Sequence, residues 1–275
     1  MQRLDRILAV IDPTVDVQAG ASKAARLARG AGAALELFVC DFDPSLSGAP
    51  FFDTATLRGL REAFLERRAA VVEGLAAEVR TAGLEVTTHV HWDNPLHAGI
   101  LRRVAEWAPD LVVKDTHEHS ALHRTLLSNT DWTLIRTCPA PLLLAKPGGW
   151  SAEPRIVAAL DPDHHRDEPP ALDDDILDAA QLLARALGGA AEVVHAFLPA
   201  TVLAATAGAA GVPLVTDALV TDVVEADRTR IGAAVRAAAA THGFGSEAVQ
   251  LVQGAAVEQL PRYAERRDAA VLVMG

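Results

Sequence analysis

The sequence predicts an α/β protein built as two tandem, doubly wound parallel-sheet domains. Three observations predict it. First, Arg6-Ile-Leu-Ala-Val-Ile-Asp-Pro13 recurs as Arg155-Ile-Val-Ala-Ala-Leu-Asp-Pro162, identical at five of eight positions and apolar for apolar at the other three. Second, short apolar runs alternate with helical stretches after each copy, as strands buried on both faces of a parallel sheet require. Third, half of the 275 residues are hydrophobic while only 4% are aromatic. With alanine abundant, that mix favours helices packed closely on a sheet.

Each element has a counterpart in the other half. The first strand lies within Arg6–Pro13 or Arg155–Pro162. A polar loop leads into a helix, Ala21–Ala31 or Leu172–Leu187, and a glycine-containing turn gives the second strand, Ala34–Cys40 or Ala191–Phe197. A long loop and a long helix follow, Thr54–Ala82 or Thr216–Thr241. The third strand is Val86–His91 or Ala248–Gln253, the next helix Leu96–Trp107 or Ala256–Arg266, and the fourth strand Leu111–Val113 or Val271–Met274. Half one continues through a helix near Asp131–Arg136 to a fifth strand, Pro141–Ala145. Its expected strand order is 3-2-1-4-5, with right-handed crossovers. Half two stops at Gly275, the position equivalent to Asp115. That leaves an open sheet edge, so the second half is expected to be incomplete at its C-terminus, a truncated copy lacking the last strand. The segment Lys146–Pro154 reads as a linker from its Pro and Gly content. The domains are then 1–147 and 148–275.

Composition excludes several functions. A net charge of −11 repels phosphate backbones, so no nucleic-acid partner is expected. A mononucleotide remains open, because local backbone amides can hold its phosphates. Cys40 and Cys138 are far apart and in no CxxC pattern, which fits a reducing, cytoplasmic compartment and no cysteine-based zinc. The apolar run Ile7–Ile11 is too short for a signal-peptide core. Thr201–Val215 is too short to span a bilayer and is broken by Gly208, Gly211 and Pro213, so no membrane association is expected. GxxxxGK[ST], GxSxG and HExxH are all missing, so neither a P-loop phosphotransferase nor a serine-elbow or HExxH hydrolase is indicated.

Open parallel sheets bind ligands beyond the carboxyl ends of their strands, where strand order reverses. That crevice lies between strands one and four. It receives Asp12, Pro13 and Asp115–His119 in half one, and Asp161, Pro162, Met274 and Gly275 in half two. An aspartate closing strand one can accept from a ribose hydroxyl or a base amine, or can simply cap the following turn. Gly254 directly follows the third strand of half two, and Asn94-Pro95 holds the matching place in half one. A glycine there either admits a nucleotide close to the backbone or makes a turn.

Between Asp115 and His123 lie three histidines and two carboxylates. His117 and His119 are two apart, so on an extended segment both face one way. They can ligate zinc, with His123 or Asp115 as third ligand. The competing readings are loop histidines bonded to backbone carbonyls, a partner contact, or acid–base chemistry. No conventional zinc spacing is present, which favours the structural reading. Asp161–Asp167 raises the same metal question and reads as a solvated loop before a helix, whose Asp173–Asp175 suit the macrodipole. Trp132 is expected as a core anchor, with Cys40 and Cys138 as small buried residues. Thr201–Val215 either lines a pocket for an apolar ligand or lies against the sheet.

The first strand ending Ile11-Asp-Pro-Thr14, the fourth ending Val273-Met-Gly275 and the tandem layout resemble the universal stress protein family. Half one carries Lys114, His117-x-His119, Thr130-Asp131-Trp132, Leu134, Arg136 and Cys138-Pro139-x-Pro141, a set similar to the tandem-domain UspE type. The resemblance covers nearly the whole chain and implies an adenine nucleotide alpha hydrolase-like fold. In nucleotide-binding members, Gly-x2-Gly-x9-Gly-Ser/Thr follows the fourth strand and its amides wrap the phosphates of ATP. Half one departs from that loop: Asp115 and Glu118 replace the first two glycines, and Ser128-Asn129 the final Gly-Ser. Carboxylates oppose a triphosphate, so ATP or a related nucleotide is expected in half two. Asp161 would face the ribose or base, with Pro162 beside it, and Asp12 is the corresponding candidate in half one. Gly254 and Met274 would lie nearby, and Gly275 would open the phosphate wrap.

The resemblance further implies a stress-response protein that senses a small-molecule ligand or acts as a scaffold, and not a dedicated enzyme. The family's final strand commonly pairs domains. Self-association is therefore expected, as an intramolecular pseudo-dimer and further as a homodimer. The alternatives are a slow ATP hydrolase, for which no water-orienting residue can be assigned, and a zinc- or lipid-binding module using His117 and His119 or Thr201–Val215.

Overall fold

The structure, a computed structural model, describes residues 3–15, 18–48, 53–80, 83–116, 118–119, 124–125, 127–162, 171–198 and 217–275. One compact unit contains Arg3–Trp150 and another Ser151–Gly275.

The first unit runs β1 (Arg6–Val10), α1 (Ala19–Ala31), β2 (Ala34–Asp41), α2 (Thr54–Arg80), β3 (Val86–Trp92), α3 (Leu96–Trp107) and β4 (Leu111–Asp115). Two-residue strands β5 (Glu118–His119) and β6 (Arg124–Thr125), α4 (Asn129–Thr137) and β7 (Leu142–Ala145) complete it. Its main sheet is parallel throughout, in the order β3-β2-β1-β4-β7, which is the expected 3-2-1-4-5. The second unit runs β8 (Arg155–Ala159), α5 (Leu172–Leu187), β9 (Ala190–Phe197), α6 (Asp217–Thr241), β10 (Val249–Gln253), α7 (Ala256–Arg266) and β11 (Ala269–Val273). Its parallel sheet, β10-β9-β8-β11, repeats the first four places of the first.

Apolar runs become central strands because both faces are covered. Leu8 and Val10 of β1 join Phe38, Val112, Ile100, Val104 and Leu134 in one core cluster beneath α3 and α4. Ile7 and Ala9 point to the opposite face and are equally buried. α1 turns Gly20, Ala21, Ala24, Ala25 and Ala28 inward, and such small residues let a helix approach closely. α1 and α5 end on Gly32 and Gly188, at φ 70° and 65°, the left-handed cap for which glycine is suited.

The duplication also shows where its sequence is silent. Ala108 and Asp268, each just beyond the third helix of its unit, both sit at φ 49°. Glu36 and Glu192, each third in its unit's second strand, are both buried carboxylates. Glu36 is gripped by Arg103 of α3 through two bonds of 2.6 Å. Glu192 is held by Arg267 at 2.6 and 3.0 Å, by Tyr263 at 3.0 Å and by Arg155 at 3.1 Å. These networks tie the third helix to the sheet. A buried carboxylate is tolerated only when paired in this way.

Candidate functional site

Strand order reverses beside β1 in the first unit and beside β8 in the second. The crevice there is built differently in the two units.

In the first unit Asp12 closes the turn after β1. Its Oδ1 accepts from the Thr14 backbone N–H at 2.8 Å and the Thr14 hydroxyl at 2.6 Å. The Gln18 side-chain amide donates to the carbonyls of Asp12 (2.6 Å) and Val15 (2.8 Å), tightening the same turn. This is the Asx-turn role of an aspartate.

Across the crevice, Asp115 ends β4 with 8% exposure. Its Oδ1 accepts the Gly20 backbone N–H at 2.6 Å, in the first turn of α1. Gly20 makes this approach possible, since a Cβ there would lie 3.1–3.2 Å from the carboxylate atoms. One turn on, the buried Lys23 ammonium donates to the Lys146 carbonyl and lies 5.4 Å from the Trp150 ring centroid. Burial pulls the Lys23 pKa down, while the Asp115 charge opposes that shift. A helix amino end attracts anions, and here the chain's own carboxylate meets that demand.

The loop after β4 is closed at its base. Lys114 Nζ lies 2.8 Å from Asp131 Oδ1, with side chains 8% and 1% exposed. Asp131 also forms a capping box with Ser128 at the start of α4, through bonds of 2.7, 2.9 and 3.1 Å. Burial alone would raise the Asp131 pKa, but Lys114 and Ser128 hold it below the usual carboxylate range. Within the loop, β5 and β6 pair antiparallel, Glu118 with Thr125 and His119 with Arg124.

In the second unit, Asp161 and Pro162 follow β8 and are half-buried. Met274 and Gly275 follow β11, which pairs with β8 up to Val273 opposite Ala158. These four residues therefore stand at adjacent strand ends. Gly275 lies against the first residue of α5, where a Cβ would come 2.5–2.7 Å from the Leu172 side chain. Buried His195 donates its Nδ1–H to the Leu160 carbonyl at 2.7 Å, directly before Asp161. Gly254 directly follows β10, which is separated from β8 by β9. At φ 131° its N–H donates to the Phe197 carbonyl at 2.9 Å, and a Cβ there would meet the Gln259 amide at 2.7 Å. It makes a turn that only glycine fits.

α5 carries Asp173, Asp174 and Asp175 in its first turn. His242, just after α6, bridges two carboxylates of this helix, with Nε2 2.9 Å from Asp174 and Nδ1 2.8 Å from Asp178. Burial works against the charged ring, yet these two bonds hold its pKa above the ordinary value.

Among the described residues no cluster of three or more His, Cys, Asp or Glu is arranged to hold a metal ion. His117 lies outside the described residues, as does the side chain of His119; so do 163–170 and Thr201–Val215. No described helix is long and apolar enough to cross a membrane. Cys40 is buried and its thiol is pushed up to about 12, chiefly by burial, while Cys138 is only half-buried. Trp132 corrects an expectation: it is 48% exposed, beside Ile135 at 46%, and is not a core anchor. Its neighbour Asp131 takes the inward position to meet Lys114, and successive helical residues point about 100° apart. Leu134 fills the core instead. Sequence reasoning missed Gly20, Lys23, His195 and His242. For Lys23 a signal existed, a lone charge within the alanine face of α1.

The model of the universal stress protein family matches residues 3–146. Universal stress protein E of Escherichia coli K12 is 27% identical over 160 residues, 58% of this chain and 51% of that protein. The chain thus spans about half the length of the curated relatives it matches. Among solved structures, a putative universal stress protein from Pseudomonas aeruginosa UCBPP-PA14 superposes with a TM-score of 0.71 at 25% identity, covering 98% of this chain and 82% of that one. A protein of unknown function from Pseudomonas aeruginosa PAO1 gives a TM-score of 0.72 at 24% identity, covering 98% and 81%.

Proposed function

The chain belongs to the universal stress protein family, and on that premise we propose a stress-response protein that senses a small-molecule ligand in its second unit. The ligand class we assign is a nucleotide such as ATP, bound at Asp161, Pro162, Met274 and Gly275, with Gly254 at the third strand's end. A cytoplasmic site of action and self-association belong to the same reading.

The observation that carries it is the contrast at one position. Where the first unit has Asp115, a carboxylate spends the α1 amide and places negative charge where phosphates would lie. The second unit has Gly275 there, with no side-chain carboxylate. Asp161 then offers its carboxylate to a ribose or base at the adjacent strand end.

Calorimetric titration of ATP tests the assignment. One site per chain is expected, weakened at least about tenfold by Asp161→Ala, a loss of about 1.4 kcal/mol, and unchanged by Asp12→Ala. No heat of binding, or equal loss from the two variants, would overturn it.

A further inference from the structure

Edge strands expose a row of unpaired amides and carbonyls, which natural sheets cover or charge. The first unit covers β3. Arg80 Nε donates to the Val86 carbonyl at 3.0 Å and its guanidinium ion-pairs Glu73, which also accepts the Thr88 hydroxyl at 3.0 Å.

The equivalent edge of the second unit is treated differently. Among the described residues β10 pairs with β9 alone, and no hydrogen bond or ion pair joins β10 to α6. Instead the two elements border an open groove of about 410 Å³, lined by Glu225, Arg228, Thr229 and Arg236 from α6 and by Val249, Gln250 and Leu251 from β10, so its charged side chains are two cations and one carboxylate. Gly232 lies where α6 meets β10: a Cβ there would come 2.9 Å from both the Arg236 guanidinium and Leu251 Cδ1. Arg228 and Arg236 are exposed and make no ion pair among the described residues, in a chain whose net charge is −11.

We propose that this groove docks an acidic peptide segment, which adds as a strand to the edge of β10 that no described residue pairs. The spacing fits such an occupant. Eight helical residues separate the two arginines, a rise of about 12 Å. Strand residues four apart share a face and span about 13 Å. Two carboxylates at that interval meet both guanidiniums while the peptide backbone pairs with β10. Main-chain bonds then supply affinity and the arginine pair supplies selectivity, as in other strand-addition sites. The surrounding negative charge repels acidic chains in general, so recognition depends on this local pair. The site is independent of the nucleotide crevice.

The test uses the full ¹⁵N-labelled chain and a blocked heptapeptide, Ser-Glu-Val-Thr-Val-Glu-Ser, with its glutamates four apart. Controls carry lysines in their place or glutamates three apart. The expected result is saturable amide shifts centred on Val249–Gln253, weakened at least about tenfold by either control peptide and by Arg228→Gln/Arg236→Gln. Unchanged amide positions in β8 and α5 show that the variant is folded. Absence of β10 shifts at about 1 mM peptide, the weak limit of specific binding, overturns the proposal. So does equal binding of the lysine peptide, or β10 shifts that depend only on protein concentration, which would mark contact between two copies of this chain.

Discussion

Lys114 and Asp131 form a buried ion pair, 2.8 Å between Nζ and Oδ1, joining the end of β4 to the first turn of α4. They bracket the segment between β4 and α4, which contains the β5–β6 ladder. The pair holds the two ends of that segment whatever lies between them.

Removing one member leaves an uncompensated charge in the core. Asp131→Ala should destabilise the first unit by about 3–5 kcal/mol, read as a lower midpoint in urea. Lys114→Met together with Asp131→Leu should recover most of that loss, because neither charge then remains buried.

Acid should act through the same residue. The folded pKa of Asp131 is depressed, so its contribution is present above the unfolded value of about 3.9 and is lost as pH falls through the folded one. Melting temperature from pH 6 to pH 2.5 should decline less steeply in Asp131→Asn, which starts lower, than in the wild type.

Asp115→Ala removes the anion from the amino end of α1 and the negative charge that counters the burial of Lys23. A loss of about 2–4 kcal/mol is expected, as for a buried, charge-assisted hydrogen bond. Millimolar phosphate should partly restore the melting temperature of this variant and leave the wild type unmoved.

His242 gives the opposite pH sign. Its folded pKa is raised, so the stabilisation is complete below the unfolded value of about 6.5 and is lost as pH rises through the folded value. Thermal melts at pH 5.5 and pH 8.5 should show a difference in the wild type that His242→Ala abolishes. Asp178→Asn should remove part of it.

Glu36→Ala leaves the Arg103 guanidinium, 17% exposed, without its bidentate partner. A destabilisation of about 3 kcal/mol is expected, measured in urea. Surface Glu106→Ala, which breaks only the 3.3 Å contact to the same arginine, should change stability by less than about 0.5 kcal/mol.

Much of the architecture was legible because periodicity is local. Strand lengths erred only at their ends: β4 runs on to Asp115, two residues past the apolar stretch, since Lys114 and Asp115 are buried by partners far along the chain. The short β5–β6 ladder carried no readable signal, for two-residue strands have no periodicity. Trp132 misled because Asp131 and Leu134 occupy the inward face of α4, leaving the tryptophan to the outer one.

From the sequence alone follows the duplicated α/β pattern, a statement about neighbours in the chain and about one half compared with the other. The 3-2-1-4-5 order and the missing glycines after β4 are expectations drawn with the help of the family resemblance. Only the tertiary structure decided that the Asp115 carboxylate turns onto the Gly20 amide, 95 residues away, that Lys114 meets Asp131, and that His242 spans Asp174 and Asp178. Those pairings exist because burial makes an unpaired charge too costly to keep. Which partner each charge finds depends on where the packed helices bring it.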